Sequence, residues 1–86
     1  MTIREISDIH RKENFIYYRR EFTGQVLYGF PDRNHAGKIE FTIETAATGK
    51  KEIRISLVDP VDYPVIPVMQ GLKEFIRALD EDGKLP

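Results

Sequence analysis

Apolar and polar residues alternate with a period of two along two neighbouring segments of the 86-residue chain, 38–44 and 52–57. The apolar positions are Ile39, Phe41, Ile43, Ile53, Ile55 and Leu57. Alternation of this kind is typical of β-strands that bury one face. Gly49, in the segment that joins them, suits the positive φ that closes a tight turn. The pattern therefore predicts a β-hairpin.

The register of this hairpin is open between two choices. A three-residue loop that ends at Gly49 places Glu44 opposite Glu52, an arrangement that like charges disfavour. A five-residue loop places Glu44 opposite Lys50 instead. Both registers keep the same apolar face, so the fold does not depend on the choice.

Two segments upstream of the hairpin also favour β structure. Residues 25–30 are rich in β-forming side chains and stop at Pro31, which cannot continue a ladder. Residues 15–22 carry a similar set diluted by charged residues, and Gly24 predicts a turn or bulge between the two segments. We therefore predict two short strands here.

The N-terminal segment 3–9 fits two structures. Thr2 and Glu5 match a helix capping box, and isoleucines recur at every third position. Lys12-Glu13-Asn14 equally fits the turn of a hairpin that leads into the next strand. We favour a short strand.

The last quarter of the chain has the period of a helix. Its apolar stripe consists of Val68, Leu72, Phe75, Ile76 and Leu79, with charged residues on the opposite side. Pro67 suits the first helical position and Gly83 the position just past the end. Three prolines between 60 and 67 predict a stiff, extended crossover before a helix at 68–82.

These elements predict an α+β fold. The expected architecture is an antiparallel meander sheet of four to five strands with one C-terminal helix packed on one face, because the helical stripe must cover the apolar face of the hairpin. A chain of this length has room for one core, so residues 1–86 are expected to form a single domain.

Composition narrows the function classes. The chain has no cysteine and a net charge of -1, so it offers no thiolate chemistry and no global field that attracts nucleic acid or an anionic membrane. Its N-terminus lacks a basic segment followed by an apolar stretch, and no apolar run is long enough to span a bilayer. We expect a cytoplasmic protein with no membrane partner.

The pattern of reactive residues favours no catalysis. The two histidines, His10 and His35, are not at metal-ligand spacing, and neither Ser7 nor Ser56 lies in a glycine-flanked elbow. No glycine-rich loop follows a strand and opens a helix, as a phosphate-binding loop would. The sequence therefore predicts no enzyme, no metal and no cofactor; a small enzyme is the weakest of three functional alternatives.

One segment interleaves bases with aromatic residues. Tyr17, Tyr18, Arg19 and Arg20 lie in it, and single-stranded nucleic acid binders use this combination for stacking and phosphate contact. The alternative, which we favour, is that the aromatic residues fill one face of the sheet and the arginines contact solvent. Nucleic-acid or nucleotide-phosphate binding is therefore the second of the three functional alternatives.

The segment 31–37 is the most polar irregular stretch between two predicted strands, where binding residues often concentrate. Its candidate residues are Asp32, Arg33, Asn34 and His35. With Arg19-Arg20 upstream, the Asp-x-Asn-x-x-Gly spacing resembles part of the motif of PilZ domains, which bind a cyclic dinucleotide. The chain has Asn34 where that motif has serine and lacks its third arginine, and an ordinary turn explains the segment better.

A sheet covered on one face leaves the other face and its edges for a partner. We expect a small non-catalytic protein-interaction or regulatory module that binds a protein partner, or associates with itself as a homodimer, through the sheet face or edge built by residues 15–30. The predicted helix is too narrow to cover every upstream aromatic residue. The aromatic residues expected to stay exposed are Tyr17, Tyr18, Tyr28 and Phe30.

Overall fold

The computed structural model describes residues 1–86 as one antiparallel sheet followed by one helix. The strands are β1 (Thr2–Lys12), β2 (Arg19–Gly29), β3 (Asn34–Thr45) and β4 (Lys51–Leu57), and the helix is α1 (Val65–Glu81). Strands that follow each other in sequence are neighbours in the sheet, in the order β1-β2-β3-β4. The predicted meander with one C-terminal helix against the sheet is confirmed, with four strands.

The N-terminal segment is a strand, as we favoured, but the prediction of two strands on either side of Gly24 is wrong. β2 runs through Gly24, which lies in the ladder opposite Ile39. The irregularity is in β1, where the register shifts between Ser7 and His10 and Asp8 has a φ of 51°. A Cβ on Gly24 would lie 3.1 Å from Cγ2 of Ile6. The glycine therefore accommodates a bulge in the neighbouring strand.

The register of the β3–β4 hairpin is the one with the short loop. Glu44 lies opposite Glu52 and Thr45 opposite Lys51. The two like charges are each compensated on their own side, because Arg19 Nη2 lies 2.9 Å from Glu44 and Arg54 Nε 3.4 Å from Glu52. Ion pairs with residues outside the cross-strand pair thus remove the objection to this register.

We expect Gly49→Ala to lower the free energy of unfolding by about 1 kcal/mol, because Gly49 has a φ of +87° in open space and the cost is backbone strain alone. The same change at Gly71, inside α1, is expected to raise stability by about 0.5 to 1 kcal/mol. Its new methyl group would lie 3.4 Å from Ile3 Cγ1, an ordinary contact. Urea unfolding of the two variants measures both effects, and a stabilised Gly49→Ala would contradict the turn geometry.

The helix begins at Val65, three residues before the predicted start at 68, with Pro64 as its N-cap. Pro67 occupies the third helical position instead of the first. The prolines did not delay the start because the first four N–H groups of a helix have no intrahelical acceptor, so a proline there loses no hydrogen bond.

The end of the helix follows the sequence prediction. Gly83 adopts a φ of +66° just past the last turn. Its N–H donates to the Asp80 carbonyl at 3.1 Å, and the Lys84 N–H donates to the Leu79 carbonyl at 2.9 Å. This is the hydrogen-bond pattern of a Schellman motif, which only glycine adopts without strain.

The core lies between the helix and one face of the sheet. Helix α1 contributes Val68, Leu72 and Ile76, all fully buried, while Phe75 and Leu79 lie at the margin of the core. The sheet contributes Ile6, Phe22, Val26, Tyr28, Ile39, Phe41, Ile43 and Ile53. The backbone of α1 comes nearest to the edge strands β1 and β4, so the sheet curves around the helix. The opposite face is mostly polar.

Candidate binding site at the aromatic end of the sheet

The loop that joins β1 to β2 presents aromatic side chains to solvent. Phe15 and Tyr17 are fully exposed, and Tyr18 is about half exposed. The loop is held from within by Asn14, whose Oδ1 accepts the Ile16 N–H at 2.9 Å and whose Nδ2 donates to the Arg19 carbonyl at 3.3 Å. We call Phe15, Tyr17 and Tyr18 the aromatic end. An ordered loop that exposes large aromatic side chains is typical of a binding surface.

A cleft of about 970 Å³ separates this loop from the β3–β4 hairpin. The Thr45 N–H donates to the Tyr18 carbonyl at 2.9 Å and joins the two walls at their base. Tyr17 and Tyr18 pack edge to face, with ring centroids 5.8 Å apart, and form the aromatic wall. The charged side chains of the cleft are Arg20, Glu44, Lys50, Lys51 and Glu52.

A three-residue ion-pair network lies at one side of the cleft and ties β2 and β4 to the helix. Arg20 donates to both carboxylate oxygens of Asp80, at 2.8 and 3.1 Å, and Lys51 Nζ lies 2.9 Å from Oδ2 of the same residue. The Asp80 side chain is only 10% exposed. Hydrogen bonds from the Arg20 guanidinium lower the pKa of the Asp80 carboxyl to about 2, assisted by Lys51. One carboxylate thus serves two cations.

Of the four residues predicted as an arginine and tyrosine site, three line this cleft: Tyr17, Tyr18 and Arg20. Arg19 lies on the opposite face of β2, where its guanidinium binds Glu44. The separation follows from the period of two in a strand, which sends adjacent side chains to opposite faces. Both arginines are engaged with carboxylates, so neither is an uncommitted phosphate contact.

Sequence reasoning missed Phe15, Lys50 and Lys51 as site residues. The two lysines adjoin a hairpin turn, where charged residues are ordinary, and nothing local connects them to a loop more than 30 positions away. Phe15 was expected to enter the face of a strand. The signal that was available is Asn14, whose side chain favours a turn at this point in place of an extended strand.

The remaining candidate residues lie at the other end of the sheet. Arg33 pairs with Asp32 at 3.2 Å, and the Asn34 side chain accepts a hydrogen bond from Arg4 at 2.9 Å. His35 packs against Tyr28 with ring centroids 6.0 Å apart. Ten ladder positions of β2 separate this group from Arg19, a span of about 30 Å. The arginine pair and the polar segment that resembled a PilZ motif are therefore not assembled into one site.

The prediction that Tyr28 stays exposed is wrong, and Phe30 is only partly exposed. Tyr28 is completely buried, because its position in β2 is on the face that the helix covers. Burial raises the pKa of its phenol, and Asp59 raises it further. Phe30 packs against Tyr63, with ring centroids 5.6 Å apart, and Arg33 lies over its ring. The helix covers more of β2 than the width of its stripe suggested, because the sheet curves around it.

Neither a membrane helix nor a cluster of metal ligands is present. The only helix, α1, is too short and too polar to cross a bilayer. No three or more histidine, aspartate or glutamate side chains come together in an arrangement that would hold a metal ion. The candidate chemistry of the chain is therefore that of the cleft and its aromatic end.

The fold and this site define a small α+β domain: a four-stranded antiparallel meander, one covering helix, and an open aromatic cleft at one end of the sheet. The chain belongs to the BB-0187 family, whose model matches residues 1–81. That match spans all four strands and the whole of α1. No curated protein and no solved structure matches the chain.

Proposed function

We propose that this chain is a small non-catalytic interaction module that binds a protein partner through the aromatic end of the sheet. The observation that carries the proposal is the full exposure of Phe15 and Tyr17 on a loop that its own hydrogen bonds hold in place. Exposing large apolar rings is unfavourable in water, and aromatic side chains supply much of the binding energy of protein interfaces. A partner that covers them gains that energy without first ordering the loop.

Part of the surface next to the aromatic end supports the same proposal. A shallow groove of about 560 Å³ lies along the end of β1 and contains Arg11, Lys12 and Phe15. It shares Tyr17 with the larger cleft, so the two depressions form a continuous surface around the loop. A polar rim around central aromatic residues is the usual anatomy of a protein interface.

The test compares two double variants that remove equivalent amounts of exposed apolar surface at opposite ends of the molecule. Phe15→Ser with Tyr17→Ser alters the aromatic end, and Val65→Ser with Ile66→Ser alters exposed positions at the start of α1. We expect the first variant to lose a protein that the wild-type chain retains from its native cells, and the second to keep it. Rebinding of that protein after purification, with the same pattern, is measured by calorimetry.

Self-association is read in the same series by light scattering. A concentration-dependent mass that the Phe15 and Tyr17 changes abolish identifies a second copy of the chain as the partner. Equal loss of binding in both double variants, or in neither, would contradict the assignment of the interface to the aromatic end.

Single-stranded nucleic acid is the second candidate. It is favoured by one observation, the presence of Lys50 and Lys51 across the cleft from Tyr17 and Tyr18. Bases stack on exposed aromatic rings while lysines contact phosphates. Binding of this kind weakens linearly in log affinity against log salt, with a slope of about 0.7 for each phosphate contact on a single strand. Absence of binding to oligothymidylate at low salt removes this candidate.

A further inference from the structure

We propose that the segment bound in the cleft is an acidic stretch of polypeptide, whose carboxylates contact Lys50 and Lys51 while its apolar side chains pack on Tyr17 and Tyr18. This inference rests on the proposed function and names the chemistry of the partner. Its basis is the charge balance of the cleft.

The cleft carries more positive charge than its own carboxylates neutralise. Arg20 and Lys51 share the single carboxylate of Asp80, and Lys50 has no carboxylate within 4 Å. The two glutamates of the cleft do not offset these cations, because Glu44 pairs with Arg19 and Glu52 with Arg54. The chain as a whole has a net charge of -1, so the positive excess is a local property of this site.

The positions of the cations suit carboxylates that approach from solvent. Lys50 lies in the exposed turn of the hairpin, and the Lys51 side chain is 49% exposed. Both ammonium groups are on flexible stems and can turn towards a ligand, whereas the Arg20 guanidinium is fixed by its two bonds to Asp80. The lysines are therefore the groups available for recognition, and Arg20 positions the wall that carries Lys51.

A peptide fits this charge pattern better than a nucleic acid strand does. Glu44 and Glu52 line the same cleft, and they would repel a ligand with a negative charge on every unit of its backbone. A polypeptide can place neutral residues beside these glutamates and acidic residues beside the lysines. The arginines, which are the strongest phosphate ligands in proteins, are already engaged here.

The experiment is an NMR titration of the ¹⁵N-labelled chain. The probes are a short synthetic peptide of alternating glutamate and leucine, the same peptide with glutamine in place of glutamate, and oligothymidylate. We expect the acidic peptide to shift the amide resonances of residues 17–20 and 44–52, and to bind more weakly as salt is added. The glutamine peptide is expected to bind about tenfold more weakly or not at all.

Charge reversal at matched positions locates the contact. Lys50→Glu is expected to weaken binding of the acidic peptide about tenfold, because an attraction becomes a repulsion. Lys73→Glu makes the same change on the exposed side of α1, away from the cleft, and is expected to leave the affinity unchanged. Since both lysines are exposed, neither change is expected to disturb folding.

Three outcomes would overturn the inference: equal binding of the glutamine peptide, equal weakening by Lys50→Glu and Lys73→Glu, and cleft shifts caused by oligothymidylate but not by the acidic peptide. The last would assign the cleft to nucleic acid. The Phe15 and Tyr17 comparison does not depend on the charge of the partner, so failure of the acidic class and failure of the proposed interface are read separately.

Discussion

Phe22→Ala is expected to lower the free energy of unfolding by about 3 to 5 kcal/mol. Phe22 lies in the middle of the sheet, is fully buried beneath the helix, and stacks on Phe41 with ring centroids 4.9 Å apart. Truncation removes the buried ring and leaves a cavity between two central strands, which the curved sheet cannot close without moving β3. A domain of this size has a total stability of only about 5 to 15 kcal/mol, so the variant should unfold close to room temperature.

Phe15→Ala is the matched control, because it makes the same chemical change at a fully exposed position. Its expected effect on stability is within about 0.5 kcal/mol. Chemical denaturation of both variants, followed by circular dichroism, measures the difference. A similar loss of stability in the two variants would contradict the separation of the aromatic residues into a buried core and an exposed end.

Acid is expected to remove about 2 kcal/mol of stability as the pH falls from about 4 to about 2, through protonation of Asp80. Its carboxyl has a pKa of about 2 in the folded chain, below the ordinary value of 3.8, because Arg20 and Lys51 stabilise the charged form. The unfolded chain therefore takes up this proton at a higher pH than the folded chain does. The contribution is complete above about pH 4 and is lost as the pH falls through the folded pKa.

Asp80→Asn tests this assignment with a side chain of the same shape. At neutral pH the variant is expected to be about 2 kcal/mol less stable than the wild type, because the partly buried Arg20 guanidinium loses its carboxylate. The difference should shrink as the pH approaches 2, where the wild-type carboxyl is also being protonated. A difference that stays constant from pH 7 to pH 2 would mean that Asp80 acts through packing and not through its charge.

The sequence predicted the elements whose signals are local. The alternation around Phe41 and Ile55 predicted the hairpin, and the helical stripe with Gly83 predicted α1 and its last residue to within one position. These signals succeed because the side-chain period follows directly from backbone geometry. The start of α1 was placed three residues late, because proline is tolerated in the first helical turn and so does not mark its first residue.

The binding site was predicted only in part, because it is assembled from distant segments. Tyr17, Tyr18 and Arg20 were named from a local pattern of bases and aromatics, and all three line the cleft. Lys51 could not be connected to them, since the contact runs through Asp80, 60 positions from Arg20. No periodicity or motif encodes such a separation.

The amino-acid sequence by itself thus determined the type, order and apolar faces of the elements, since each depends on residues that are near neighbours in the chain. Only the tertiary structure decided which of two adjacent residues is available to a partner: Arg19 is paired outside the sheet and Arg20 beside the helix, Tyr28 is buried, and Tyr17 is exposed. It also decided the hairpin register, because Arg19 neutralises Glu44 from a different strand. The physical reason is that exposure and ion pairing depend on how the sheet curves around the helix, and that curvature is a property of the packed whole.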